Sequence, residues 1–198
     1  RYEFLGGYQI DETFPIDLTG RAPYGTSKLA GDLYVQDYAK TYGLKTVVFR
    51  MSCIYGSSQT GTEDQGWVSH IVKQAVKGNT VKVFGTGKQV RDILYVDDLI
   101  DLFLLARSKN ISGVFNVGGG KDKTISVLEL VNLLREHPQV GEFKVEYEDW
   151  RSMDQKVYVS NIGKAINIYG WNPKIFPEEG IGRLIGLETL IRDSVELK

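Results

Sequence analysis

The chain has 198 residues, of which 42% are hydrophobic, and its formal net charge is −1. This length is enough to bury a full core and predicts one large domain or a domain and a half. The near-zero charge, with no basic block, does not support a nucleic-acid partner. Cys53 is the only cysteine, so the sequence excludes an internal disulfide, and a reducing cytoplasm is the expected location.

Metal and membrane sites are also disfavoured by the sequence. The two histidines, His70 and His137, lie far apart and outside any Cys/His cluster, so no metal site is expected. No apolar run approaches the ~20 residues of a membrane span. The chain starts at Arg1 and has no strand followed by spaced glycines and a helix, so we expect it to be incomplete.

The first predicted helix follows an irregular stretch rich in glycine and proline. Apolar residues recur every three or four positions over 24–42, with Thr26 and Ser27 expected to help cap the helix and Gly43 to end it. The β-branched run at 45–50 predicts a buried parallel strand. Helix and strand together are typical of half a βαβ unit, in which ligands bind at the carboxyl ends of the strands.

The rest of the chain continues this alternation of helices and strands. It predicts an α/β fold, in which residues 24–56 are the last helix–strand repeat of a doubly wound parallel sheet. In chain order the predicted elements are a helix at 67–77, a strand at 81–84, a helix at 96–106, a strand at 114–117, a helix at 127–134, a strand at 143–147, and helices near 162–169 and 181–191.

The most informative pair of residues is Tyr24 and Lys28, four positions apart on the first predicted helix. Side chains at this spacing lie one turn apart on the same face. The Lys28 ammonium is therefore placed to favour the phenolate form of Tyr24, as a general base requires. A surface tyrosine on an amphipathic helix is the alternative interpretation.

Other candidate residues lie beside predicted turns. Arg91 follows a glycine turn, and its planar guanidinium suits a diphosphate; the alternative is a pair with Asp92 or another nearby carboxylate. Gln65 and Gly66 open a helix whose free N–H groups and dipole favour phosphate. The glycine run 118–120 lacks the spacing of a dinucleotide loop, so a turn is favoured.

Five segments occur in an order that matches one family of enzymes: 24–28, 49–56, 84–98, 115–119 and 151–155. Together they resemble the extended short-chain dehydrogenase/reductase family of nucleotide-sugar epimerases and dehydratases. Within that family, the segment Glu-Asp-Gln-Gly-Trp-Val at 63–68 is most similar to the CDP-paratose 2-epimerases. The resemblance implies an isomerase that binds NAD and a nucleotide-diphosphate sugar.

The resemblance also implies a domain organisation. Residues 1–64 would be the carboxyl-terminal part of a Rossmann-like NAD-binding domain, to which 92–120 returns. Residues 65–91 and 121–198 would form the nucleotide-sugar-binding lobe. The glycine-rich NAD loop and a third active-site residue, Ser or Thr, would lie upstream. Family members dimerise through the helix that carries Tyr-x-x-x-Lys, which implies a homodimer or homotetramer with Tyr34 and Tyr38 near the contact.

Individual roles follow from the resemblance. Tyr24 would be the base, and Lys28 would also bind the nicotinamide ribose, with Met51, Ser52 and Cys53 along the cofactor. The implied substrate-binding residues are Gln65, Gly66, Trp67, Val83, Phe84, Gly85, Arg91, Arg151 and Asp154.

Some positions depart from the family pattern or allow another role. Many relatives have Asn in place of Cys53 and Pro-Arg in place of the Ser-Ser at 57–58. Phe84 could be a core aromatic, Trp67 could pack the two lobes together, and Arg151 could pair with Glu146, Glu148 or Asp149 on the surface.

The alternative activities are a 4-epimerase, a 4,6-dehydratase or a decarboxylase, and the alternative class is a non-catalytic NAD-binding regulator.

Overall fold

The structure, a computed structural model, describes residues 9–16, 23–152 and 154–196. Within these ranges the chain forms six helices and eight strands. The helices are α1 (Pro23–Tyr42), α2 (Trp67–Val76), α3 (Val96–Lys109), α4 (Val127–Glu136), α5 (Gly163–Tyr169) and α6 (Pro177–Glu196). The strands are β1 (Val47–Met51), β2 (Cys53–Tyr55), β3 (Val81–Phe84), β4 (Val90–Tyr95), β5 (Gly113–Val117), β6 (Thr124–Ser126), β7 (Val145–Glu148) and β8 (Val157–Tyr158).

Most strand pairs in the described chain are parallel, which confirms the α/β class. Strand β1 pairs with β5, and Met51 lies opposite Val117 where both strands end. The strand expected at 114–117 therefore joins β1, and its return to the sheet is what the family resemblance implied. Strand β4 pairs in parallel with β2 and β8 and antiparallel with β6. Strands β3 and β7 form a separate parallel pair.

Two apolar clusters form the core. Helices α2, α4 and α6 bury Val72, Leu130 and Ile185 in the first cluster. Helices α3 and α5 pack on β5 in the second, with Leu102, Phe115 and Tyr169 almost fully buried. Each fully buried large aliphatic side chain contributes about 1.5–3 kcal/mol, so these clusters supply much of the stability of the fold.

The start of α1 differs from the expected cap. The helix begins at Pro23, one residue before Tyr24, because proline lacks an N–H and its fixed φ suits the first helical position. Ser27 is the fifth residue of the helix, and its hydroxyl donates to the Tyr24 carbonyl. The expectation that Ser27 caps this helix is therefore wrong.

Helix α1 is much more exposed than an amphipathic surface helix. It has no buried side chain in the structure, and Leu33, Tyr34 and Tyr38 are 50%, 67% and 52% exposed.

No helix in the described part of the chain is long and apolar enough to cross a membrane. Over the same ranges, no three His, Cys, Asp or Glu side chains come together in a way that could hold a metal ion.

A buried carboxylate fixes the entry to α6. Asp98, in the first turn of α3, is 2% exposed. Its two carboxylate oxygens accept hydrogen bonds from the backbone N–H groups of Lys174 and Ile175, at 3.0 and 2.9 Å. Its carbonyl accepts from the Trp171 indole at 2.8 Å. One residue therefore holds the 171–175 segment against α3.

Asp98→Ala should lower the free energy of unfolding by about 2–4 kcal/mol, because two buried backbone N–H groups lose their acceptors. Urea denaturation of the full-length protein measures this loss. Asp101→Ala on the same helix is the matched control, since its carboxylate is exposed and lies 3.4 Å from the Lys174 ammonium; it should cost less than about 1 kcal/mol. Equal losses in the two variants would contradict this account of Asp98.

Candidate active site

A cavity of about 1190 Å³ lies between α1, β1, β2 and the start of α2. Its volume is sufficient for a ligand the size of a cofactor or a nucleotide. The predicted site residues that line it come from all four elements and from the loop before α2. They are Tyr24, Lys28, Met51, Ser52, Cys53, Gln65, Gly66 and Trp67.

Tyr24 and Lys28 share one face of α1 at this cavity. The Lys28 ammonium lies 5.2 Å from the centre of the Tyr24 ring, so the helical spacing brings the two side chains together as predicted. Tyr24 is 58% exposed, and its ring is therefore accessible from the cavity. A cation at this distance is attracted to the face of the aromatic ring.

An ion pair that the sequence analysis did not identify fixes the helix to the sheet below. Asp32, one turn after Lys28, accepts a hydrogen bond at 2.6 Å from the Arg50 guanidinium on β1. Arg50 also donates to the Glu12 carbonyl at 3.2 Å. The Asp32 side chain is only 10% exposed, so screening by solvent is weak. The pair sets the position of the Tyr24–Lys28 face relative to β1.

One wall of the cavity is formed by Ser52, between β1 and β2, and by Cys53, the first residue of β2. The Ser52 backbone N–H donates to the Val117 carbonyl at 2.8 Å. Its hydroxyl donates to Asp92, at 2.6 Å to a carboxylate oxygen and 2.8 Å to the carbonyl. Both donors of Ser52 are thus used within the protein.

Cys53 carries a thiol rather than a thiolate. Burial raises the pKa of the Cys53 thiol, and a hydrogen bond from the Trp67 indole, 3.4 Å from the sulfur, opposes the rise. A thiol with a raised pKa is a weak nucleophile at neutral pH. The same hydrogen bond attaches Trp67, the first residue of α2, to β2.

The loop before α2 ends in a backbone conformation that favours glycine. Gly66 has a φ of 71° and stands at the N-cap of α2, where no side chain of the described residues caps the helix. The first-turn N–H groups of an uncapped helix are suited to an anionic ligand. Gln59 and Asp64 of this loop also line the cavity, and neither was identified from the sequence.

The other predicted substrate residues form a second group outside the cavity lining. Arg151 lies over the Phe84 ring at 3.8 Å and pairs with Asp64 at 3.6 Å. Arg91 pairs with Asp154 at 2.6 Å. Asp64 belongs to both groups, since it lines the cavity and contacts Arg151, so the two regions are adjacent.

Both arginines have an aspartate as partner. Arg91 pairs with a carboxylate, as its alternative interpretation allowed, and Arg151 pairs with a residue other than the three considered for it. Arg91 pairs with Asp154 rather than Asp92 because successive residues of a strand point to opposite faces. Arg151 pairs with Asp64, whereas Glu148 contacts Lys82 at 3.8 Å.

Val83 and Phe84 differ in what they can offer a ligand. Val83 is completely buried in the first core cluster, so only its main chain could contact a ligand. Phe84 is partly buried and carries Arg151 on its ring. At Gly85, with a φ of 67°, a Cβ would overlap the Trp150 ring.

Tyr158 is a further residue that the sequence analysis missed. It lies on β8 opposite Arg91 and lines the same cavity as Tyr24. Burial raises the pKa of its phenol. No motif marked this residue, because β8 has only two residues and approaches the site through pairing distant in sequence.

Comparison with known proteins places this arrangement in a family. Residues 5–118 match the model of the NAD dependent epimerase/dehydratase family. The chain belongs to this family, which confirms the resemblance seen in its motifs. It is 40% identical over 182 residues to the CDP-paratose 2-epimerase of Salmonella typhi, covering 88% of this chain and 53% of the relative.

Other relatives act on different sugars. The putative UDP-glucose 4-epimerase of Methanocaldococcus jannaschii is 32% identical, covering 89% of this chain and 55% of the relative. The solved UDP-glucose 4-epimerase of Thermus thermophilus, in complex with NAD, has a TM-score of 0.82 and 28% identity, with 92% of this chain and 58% of that chain covered. The chain spans about half the length of the curated relatives it matches.

Alkylation of Cys53 should be slow at neutral pH. A folded-state pKa above the ordinary thiol value keeps the reactive thiolate scarcer than it is in a free thiol at the same pH. The rate of carbamidomethylation, followed by mass spectrometry of the Cys53 peptide from pH 7 to 10, measures this. N-acetylcysteine is the reference thiol, and a rate that already reaches its plateau at pH 7 would contradict the assignment.

Proposed function

We propose that the full-length protein is an NAD-dependent epimerase of nucleotide-diphosphate sugars, and so an isomerase. The observation that carries this proposal is the Tyr24–Lys28 pair, which opens onto the cavity of about 1190 Å³. The names of the relatives, which include epimerases and dehydratases of nucleotide sugars, support the same class of reaction.

The residues at the cavity fit NAD. Tyr24 and Lys28 would face its nicotinamide ribose, and Met51, Ser52 and Cys53 would lie along it. NAD, when bound, supplies a hydride acceptor that returns the hydride after the sugar has turned. The solved relative from Thermus thermophilus contains NAD, which supports the same cofactor here.

In this mechanism Tyr24, as phenolate, removes the proton of a sugar hydroxyl as the carbon that bears it is oxidised. Lys28 stabilises the phenolate and holds it towards the sugar. The resulting keto sugar turns in the cavity, and Tyr24 returns the proton when the opposite face of the carbon is reduced. The net redox change is zero.

The nucleotide diphosphate would bind at the second group of residues. Arg91 and Arg151 would hold the diphosphate, with Asp154 near the ribose and Phe84 against the base, beside the main chain of Val83 and Gly85. The guanidinium side chains are 14% and 32% exposed, which strengthens their attraction for an anion. Gln65, Gly66 and Trp67 would contact the sugar or its phosphates at the start of α2.

The substrate favoured by this proposal is CDP-paratose, converted at C2 to CDP-tyvelose. The segment at 63–68 that resembles the 2-epimerases contributes Asp64, which contacts Arg151, and Gln65–Trp67, which line the cavity. The identity of 40% to a CDP-paratose 2-epimerase adds support. A 4-epimerase and a 4,6-dehydratase are the alternatives, because relatives with those names also match.

The domain division belongs to the same proposal. Residues 1–64 and 92–120 would hold the cofactor, and residues 65–91 and 121–198 would hold the nucleotide sugar. Strand β4 crosses this boundary, since Arg91 and Asp92 are neighbours within Val90–Tyr95. The two regions would therefore share one strand.

A product assay tests the substrate. The full-length protein should convert CDP-paratose to CDP-tyvelose, with UDP-glucose, UDP-glucuronate and dTDP-glucose as competing substrates. Turnover of one of the latter three alone would replace CDP-paratose while leaving the class of enzyme intact. NAD binding without turnover of any of the four would favour the non-catalytic regulator.

Tyr24→Phe should lower kcat by about 100- to 10,000-fold with NAD still bound, because the phenol oxygen that carries the proton is removed. Tyr42→Phe, at the exposed end of the same helix, is the matched control and should retain kcat. Turnover by Tyr24→Phe at the wild-type rate would remove Tyr24 from the role of base.

We also propose that the full-length protein forms a homodimer or homotetramer through α1. Tyr34 and Tyr38 are exposed aromatic residues of the kind enriched in interface cores. Light scattering should give a dimer or larger at micromolar concentration, and the double variant Tyr34→Glu, Tyr38→Glu should dissociate it. Tyr147→Glu, on exposed β7, is the control, and a wild-type monomer would end the proposal.

A further inference from the structure

The buried carboxylate of Asp92 connects the two chain segments that follow β1 and β5. Asp92, on β4, is completely buried. One of its carboxylate oxygens accepts from the Ser52 hydroxyl at 2.6 Å, and the other accepts from the Gly120 N–H at 3.2 Å. Ser52 directly follows β1, and Gly120 lies in the turn after β5. Asp92 therefore connects the segments that follow both strands.

The glycine run at 118–120 is shaped around this carboxylate. A Cβ at Gly118 would overlap the Asp92 carboxylate and approach Ser52, and a Cβ at Gly119 would overlap the Ile93 carbonyl. These glycines allow the turn after β5 to close onto β4. The run is thus a site of close packing, which agrees with the interpretation of a turn rather than a dinucleotide loop.

Asp92 does not itself reach the cavity. Its carboxylate points away from the Arg91 side of β4, whereas Ser52 and Cys53 both line the cavity. The Ser52 hydroxyl is tied to Asp92 by two hydrogen bonds and its backbone N–H is tied to Val117. The position of Ser52 and Cys53 is therefore fixed by Asp92, a residue that does not itself line the cavity.

We propose that Asp92 is a positioning residue of the active site, which holds Ser52, and with it Cys53, at the distance from Tyr24 and Lys28 that the reaction requires. The catalytic part of this inference rests on the proposed function. Loss of the Asp92–Ser52 hydrogen bond would let the 52–53 wall move, and a displacement of about 1 Å at a reacting centre can cost about 100-fold in rate.

Two variants of the full-length protein alter the contact from either side. Asp92→Asn replaces one of the two acceptor oxygens by an N–H donor, so that Ser52 and Gly120 cannot both keep their acceptor, and Ser52→Ala removes the hydroxyl donor. Asp98→Asn is the matched control, because it alters an equally buried carboxylate that accepts backbone N–H groups but lies away from the cavity. All measurements are made well below the melting temperature of each variant, so that loss of folded protein does not contribute.

The first readout is independent of turnover. The rate constant for alkylation of the Cys53 thiolate by iodoacetamide, obtained from the pH dependence of the reaction by peptide mass spectrometry, should become about tenfold larger in Asp92→Asn and Ser52→Ala because the wall opens more often. The thiolate rate constant excludes the direct effect of the Asp92 charge on the pKa of the Cys53 thiol. It should be unchanged in Asp98→Asn. An unchanged rate in Asp92→Asn would overturn the proposal, and so would an equal increase in Asp98→Asn.

The second readout concerns the reaction. On whichever nucleotide sugar the wild type converts, kcat of Asp92→Asn should fall by about 100-fold, while its KM changes much less than its kcat and Asp98→Asn keeps wild-type kcat. Wild-type kcat in Asp92→Asn would overturn the proposal even if alkylation accelerates. If the wild type converts no nucleotide sugar, the proposed function fails separately, and the alkylation rates together with NAD affinity still decide whether Asp92 positions the wall.

Discussion

The parallel pairing of β1 with β5 is the constraint on which the candidate site depends. Because both strands run in the same direction, Met51 and Val117 end at the same edge of the sheet. The segments that follow them meet there and are joined through Ser52, Val117 and Asp92. The Arg50–Asp32 ion pair then attaches α1 to β1, so that Tyr24 and Lys28 face the wall formed by these segments.

Two buried aspartates, Asp92 and Asp98, each hold a distant segment of the chain in place by hydrogen bonds. Asp92 and Asp98 are 0% and 2% exposed, and each accepts backbone N–H groups from a segment distant in sequence. A buried carboxylate is costly unless its oxygens are hydrogen-bonded, so each can be kept only where the partner segment is in place. Asp98 fixes the entry to α6, while Asp92 lies behind the cavity.

The features that the sequence predicted correctly are local ones. The Tyr24–Lys28 pair depends on helical spacing, and the existence of a strand at 114–117 depends on its own run of apolar residues. The return of that strand to the sheet was implied by the family resemblance. Arg151, by contrast, was expected to have Glu146, Glu148 or Asp149 as its competing partners, and its observed partner is Asp64. Asp64 and Arg151 are 87 positions apart, and a contact between residues so distant produces no periodic pattern in a single sequence.

The same reason explains the residues that sequence analysis missed. The short strands β2 and β8 have three and two residues and are defined by their pairing with β4 rather than by their own composition. Tyr158 reaches the cavity only through that pairing. Asp32, unlike these residues, could have been identified from the sequence. It lies one turn after Lys28 on the predicted helix, and Arg50 on the next predicted strand is an obvious ion-pair partner for it.

The alternation of side chains along β4 makes its register unusually sensitive to insertion and deletion. Arg91 faces Asp154 on one side of the strand, and Asp92 faces Ser52 on the other. A shift of one residue would exchange the two sides. The guanidinium would then enter the pocket bounded by Gly118, and the carboxylate would meet Asp154 as a second negative charge. Length variation among homologues should therefore be excluded from Val90–Tyr95.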